Sequence, residues 1–251
     1  MNINVRRCYF HSIQPFDGCS SKNNLEGRIE RLKCMLEYGY LVPRKELPRV
    51  LEQVYGIAPS KFKMIDNNVY LSQHYKSELG SVGGSHIGGE FSAFFGHIVN
   101  NPALVFDEHV VENKNIKTCG HSLGEEVCIQ DRIPLTELIA LALPYQPPRE
   151  ALIFIDQYFR LKTFPPLWTS EREYLIKAAK KAKYVLENFD EEVEKCYRKV
   201  ELFASVLENR NLDIPCIRAC DGMLYSKAEE YEYVEKNREK VLSLIKKIER
   251  P

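Results

Sequence analysis

The feature that most constrains this chain is a change of pattern at Pro144-Tyr-Gln-Pro-Pro148. Before it, short mixed runs are separated by Gly, Asn and Pro; after it, long charged stretches repeat at helical spacing. Prolines this dense end a helix or strand, since each removes a backbone donor and fixes φ. The pattern therefore predicts an α+β region over residues 1–145 and a helical region over 146–251. With 251 residues in all, each part is long enough to bury a core of its own.

In the first part, Leu25, Ile29, Leu32, Met35 and Leu36 share one helical face and Gly39 stops them, which predicts a helix over about 24–38. Pro43 to Tyr55 reads as a second helix closed by Gly56, with Pro48 in its first turn. Val69-Tyr70-Leu71 reads as a short strand. Gly80 to Gly89 holds five glycines in ten residues, so the entropy lost on ordering it is large and a loop is expected. Phe91 to Val99 is expected to be helical. Ala103–Val111, Glu126–Gln130 and Leu138–Leu143 are β-rich runs bounded by turn residues. In the second part, Ala151 to Leu161 is open between helix and buried strand. Ser170 with Glu173, and Ser226 with Glu229, are capping-box patterns that open helices running towards Asn188 and Arg250. Between them a helix over about 190–209 carries Val193, Val200, Phe203 and Leu207 on one face, so this half is expected to be a small bundle or cap.

Composition removes several classes. A chain 44% hydrophobic and 28% charged is not disordered as a whole. Its longest strongly apolar stretch, Leu135 to Leu143, is far below the ~20 residues of a membrane span. Balanced charge, 35 basic against 35 acidic residues, argues against a broad phosphate-binding surface. The start, Met-Asn-Ile-Asn-Val-Arg-Arg-Cys, has no apolar segment, so no secretion signal is expected and residue 1 is taken as the first of the working protein. Eight cysteines without a C-x-x-C pair exclude a zinc ribbon or finger and fit a cytoplasmic protein with most thiols reduced. His74, His86, His97, His109 and His121 recur every eleven or twelve residues, but no accompanying Asp, Glu or Cys spacing resembles a known zinc pattern and no metal is expected. The glycine loop lacks the G-K-[ST] of a P-loop, and G-x-S-x-G, H-E-x-x-H and D-F-G are absent.

What remains is an ordered series of local patterns. Tyr9-Phe10-His11-Ser12 ends a first strand. The helix through Leu32-Lys33-Cys34-Met35-Leu36-Glu37-Tyr38 runs into Gly39-Tyr40-Leu41 and Val42-Pro43-Arg44. Asn68-Val69-Tyr70-Leu71-Ser72 follows, then the glycine loop, then Glu125-Glu126-Val127-Cys128-Ile129 leading to Ile133-Pro134-Leu135. This order, over about residues 5 to 143, resembles the ADP-ribosyltransferase superfamily, in particular its His-type branch, which holds DNA-modifying toxins and RNA 2'-phosphotransferases. That family has a first-strand His, a helix closed by a Gly and a hydrophobic residue, a strand bearing Tyr before a small residue, and a later strand headed by the catalytic Glu.

The resemblance implies a split-sheet domain that consumes NAD, with His11 on the NAD ribose, Tyr70 against the nicotinamide, Glu126 as catalyst and Arg44 on the pyrophosphate. The residue types suit the chemistry, because breaking the nicotinamide glycosidic bond builds positive charge on the ribose that a carboxylate offsets. The function it implies is mono-ADP-ribosyl transfer to a protein or nucleic-acid acceptor, in a toxin, effector or phage-defence setting. From a different class stands an inactive interaction protein whose helical half binds a protein partner. RNA 2'-phosphate transfer ranks below both, for want of basic residues beside the first motif.

Overall fold

The computed structural model describes residues 3–13, 25–43, 45–56, 68–72, 102–112, 114, 116–119, 126–143, 145–160, 169–218 and 222–249. They form two compact units, one drawn from the described residues up to 143 together with Leu202–Met223, the other from Tyr145–Glu201 and Leu224–Pro251. The protein is a mixed α and β structure.

The first unit is built on a seven-stranded sheet. Its strands are β1 (Cys8–Ser12), β3 (Val69–Ser72), β4 (Ala103–Asp107), β5 (Ile116–Cys119), β6 (Glu126–Ile129), β8 (Leu138–Leu143) and β9 (Cys216–Arg218), in the order β5-β6-β3-β1-β4-β8-β9. All neighbours are antiparallel except β8 and β9. Alternation along β1 puts Cys8 and Phe10 on one face, in a buried cluster with Val5, Ala103, Val105, Ala140, Ala142 and Ile217. Leu104, Phe106 and Leu141 are equally buried, so both faces of the central strands are covered and these runs read as almost continuous apolar sequence. A separate two-stranded ribbon joins β2 (Tyr40–Leu41) to β7 (Ile133–Pro134), fastened where Leu135 N donates to Gly39 O at 2.8 Å.

Two helices belong to this unit. α1 (Leu25–Tyr38) turns Leu32 and Met35 inward and ends on Gly39, whose φ of 78° lets its N–H reach Met35 O at 2.9 Å. α2 (Leu47–Tyr55) is closed in the same way by Gly56.

Three local expectations are corrected. The β run expected to Val111 stops at Asp107, because the Asp107 carboxylate accepts from His109 N and opens a 3-10 turn over Glu108–Val111. β5 was not expected at all. Nor was β9, which takes Leu202–Met223 out of the helical part and sets Cys216–Arg218 beside Leu141–Leu143. Three residues between Pro215 and Ala219 carry no periodicity that would mark them as a strand. The expectations for Gly80–Gly89 and Phe91–Val99 lie outside the described residues.

The second unit contains α3 (Glu150–Arg160), α4 (Thr169–Glu187), most of α5 (Phe189–Glu208) and α6 (Lys227–Glu249). The segment left open between helix and strand is α3, with Leu152 and Ile155 packed against Leu175, Ala179, Ala182 and Val241. Ser226 and Glu229 form the anticipated box. Glu229 N donates to Ser226 Oγ at 3.3 Å, and Ser226 N to Glu229 Oε2 at 2.6 Å.

Candidate functional site

β1 is paired with β4 over its whole length, from Cys8 opposite Asp107 to Ser12 opposite Ala103. Against β3, the register recorded among the described residues is Phe10 opposite Ser72. Past that pair a side chain takes over from the ladder: His11 Nδ1 donates to the Tyr70 carbonyl oxygen at 2.9 Å. A carbonyl only accepts, so the neutral ring carries its proton on Nδ1 and Nε2 is the basic nitrogen. At the same strand end the Ser12 hydroxyl is buried with no hydrogen-bond partner among the described residues, which leaves a polar atom beside the junction.

Glu126 opens β6, opposite Ser72 of β3 on one side and Cys119 of β5 on the other. Phe10, Ser72 and Glu126 thus stand in one row across three strands, and Tyr70 lies two residues along β3, opposite Cys128. The structure brings the positions of His11, Tyr70 and Glu126 onto neighbouring strands. Strand alternation assigns positions 70 and 126 to one sheet face and position 11 to the other, with the His11 ring meeting β3 at the Tyr70 carbonyl. Arg44 lies outside the described residues.

Two features of this region were missed. Cys128, read as an interior residue of Val-Cys-Ile, is buried and disulfide-bonded. No C-x-x-C or other spacing marks it. The other is an exposed dyad at the far end of β4, where Asp107 Oδ1 accepts from the His109 ring Nδ1 at 2.9 Å. That hydrogen bond raises the His109 pKa above its ordinary value and lowers that of Asp107. Both residues are common turn formers, so the pair carries no signal of its own in the sequence.

Cys8, Cys34, Cys196 and Cys216 are free thiols. Burial pushes Cys8 and Cys216 up to about 11 and Cys196 to about 12, so these stay protonated and unreactive. Among the described residues no three His, Cys, Asp or Glu side chains converge as metal ligands, and no helix is long and apolar enough to cross a membrane. The chain matches no protein-family model, no curated protein and no solved structure.

Proposed function

We propose that the protein is a mono-ADP-ribosyltransferase that takes ADP-ribose from NAD, with its site where β1 parts from β3. The observation that carries this reading is the His11–Tyr70 bond at that junction, with Glu126 heading the next strand. In this reading the first unit is a split-sheet ADP-ribosyltransferase-like domain. Its two halves, β5-β6-β3 and β1-β4-β8-β9, meet at the β1–β3 boundary, and NAD enters there.

The residues have separable tasks. His11, its donor engaged by β3, offers a ring nitrogen to a ribose hydroxyl. Tyr70 gives the flat nicotinamide an aromatic face. The Glu126 carboxylate stands against the positive charge that grows on the ribose as nicotinamide leaves, which is charge present in the transition state and not in bound NAD.

The test is release of nicotinamide from NAD, alone and with protein, DNA or RNA offered as acceptor. Glu126→Gln keeps size and hydrogen bonding but removes the charge. It is expected to lower kcat by roughly 100-fold or more with KM little changed. Glu125→Gln, one residue earlier in the chain, is the control expected to retain activity. A wild-type chain that leaves NAD intact with every acceptor gives way to the interaction-protein reading.

A further inference from the structure

Although the chain as a whole is neutral, its cations are not evenly paired in the helical unit. Between Leu175 and Leu186, α4 carries four lysines and no carboxylate. Lys195 is held by Glu191 and Glu192, Lys227 by Glu194 and Lys240 by Asp156, whereas Lys180, Lys181 and Lys183 form no ion pair among the described residues. Lys177, Lys180, Lys181 and Tyr184 follow one another at i, i+3, i+4 and i+7, which sets them on a single face of the helix, with Lys183 at its edge. All four lysines are exposed, and the Tyr184 ring is 46% exposed. Carboxylates bound the patch, with Glu173 before it, Glu187 after it, and Asp190, Glu191 and Glu192 opening α5.

We propose that this face of α4 binds single-stranded nucleic acid, with its lysines on the phosphates and Tyr184 as the platform on which one base stacks. The charge is complementary to a phosphate strand, and flexible ammonium groups suit contacts that follow a backbone without reading sequence. From Lys177 to Tyr184 the helix rises about 10 Å, enough for about three phosphates at the ~3.4 Å rise of a stacked strand. An exposed aromatic ring beside such a run adds a contact that every unpaired base can make and a duplex cannot offer. An anionic membrane surface fits less well. A basic helix lies on a bilayer by sinking its apolar face, and that face of α4, with Leu175, Ala178, Ala179, Ala182, Val185 and Leu186, is already packed into the core of the helical unit. The inference goes beyond the NAD reading, and its readout needs no NAD.

The experiment uses the full chain and the fluorescence anisotropy of an end-labelled single strand of about 20 nucleotides, as DNA and as RNA, at about 50 and about 200 mM NaCl. With about three phosphates engaged, the slope of log affinity against log salt should be about −2, so binding should weaken roughly 20-fold between the two conditions. Lys180→Gln combined with Lys181→Gln should weaken binding by about tenfold or more at the lower salt and flatten the slope to about −0.7. Tyr184→Ala should weaken it by about fivefold or more and leave the slope unchanged. Lys33→Gln removes the same charge from an exposed lysine that Glu30 already pairs, and should bind as wild type does. Helical ellipticity checks that each variant is folded. The proposal is overturned by a strand that does not bind at the lower salt, or by a double lysine variant or Tyr184→Ala that binds like wild type. Equal weakening in Lys33→Gln overturns it as well, as does tighter binding to phosphatidylserine–phosphatidylcholine vesicles than to the strand.

Discussion

The imidazole of His11 and the carbonyl of Tyr70 are joined at 2.9 Å across the boundary of β1 and β3, so a side chain holds together two strands that backbone pairing holds at Phe10 and Ser72. A bond to a carbonyl specifies the tautomer. Long-range proton–nitrogen NMR of the neutral ring should show His11 protonated at Nδ1, with Nε2 pyridine-like. A proton on Nε2 would mean that the bond is absent in solution. His11→Ala, which strands a carbonyl at the junction, should cost about 1–2 kcal/mol in chemical denaturation, over and above any loss of NAD cleavage.

Asp107 and His109 give a titration test. His109 donates to Asp107 and has a raised pKa, so Asp107→Asn should bring it back towards ~6.5 in a proton NMR titration. A raised folded-state pKa stabilises below the unfolded value of ~6.5, and that gain is lost as pH rises through the folded value. The pair is 54% and 44% exposed, so solvent screening keeps the effect small and NMR, not melting, is the measurement. An unmoved His109 pKa in Asp107→Asn would show that the dyad does not persist.

Glycine positions separate conformational strain from collision. Gly39 (φ 78°) and Gly222 (φ 71°) both occupy the left-handed region. A Cβ on Gly39 meets open space, whereas one on Gly222 runs into the carbonyl oxygen of Ile3 and crowds Val5. Gly39→Ala should therefore cost about 1 kcal/mol for backbone strain alone. Gly222→Ala, which must also move backbone, should cost about 2–4 kcal/mol. Equal losses in urea unfolding would show that the Ile3 segment yields freely.

These positions also mark what could be read without the structure. Gly39 and Gly56 ended their helices as anticipated, and Ser226 with Glu229 closed the box, because each rests on contacts within a few residues. Leu138–Leu143 was legible as a strand for the same reason. Cys216–Arg218 was not, since its strand character comes from Leu141–Leu143, more than seventy residues away in the chain, and from nothing in its own three side chains. Asp107 shows a local contest that propensity misjudged. Its carboxylate captures a backbone N–H and ends the strand although Val110 and Val111 favour continuing it. At the candidate site, the strands bearing His11, Tyr70 and Glu126 were each visible. Their parity was not, because which residue faces which across β1, β3 and β6 depends on register, and a shift of one residue reverses it.

In the helical unit Arg149 Nε lies 3.5 Å from Glu230 Oε1, with the Glu230 side chain fully buried and Arg149 nearly so. Arg149 also stacks 3.6 Å over the Tyr225 ring, and Tyr145 donates to Glu230 Oε1 at 3.0 Å. Burial raises the Glu230 pKa, and Arg149 and Tyr145 pull it back only in part. Removing either partner leaves a buried charge and should cost about 3–5 kcal/mol near neutrality. The two losses should differ in their pH dependence. In Arg149→Met, Glu230 loses the cation that lowers its pKa and can protect itself by taking a proton. A carboxyl raised in the folded state stabilises below the ordinary carboxyl range and loses that contribution as pH rises through its folded value, so this variant should recover stability between about pH 7.5 and about pH 5. In Glu230→Gln the stranded group is a guanidinium, which cannot give up its proton in this range, so its deficit should stay nearly constant. The check is thermal unfolding of both variants against wild type at the two pH values, followed by helical ellipticity. Parallel deficits would show that Glu230 is not ionised against Arg149 in the folded protein.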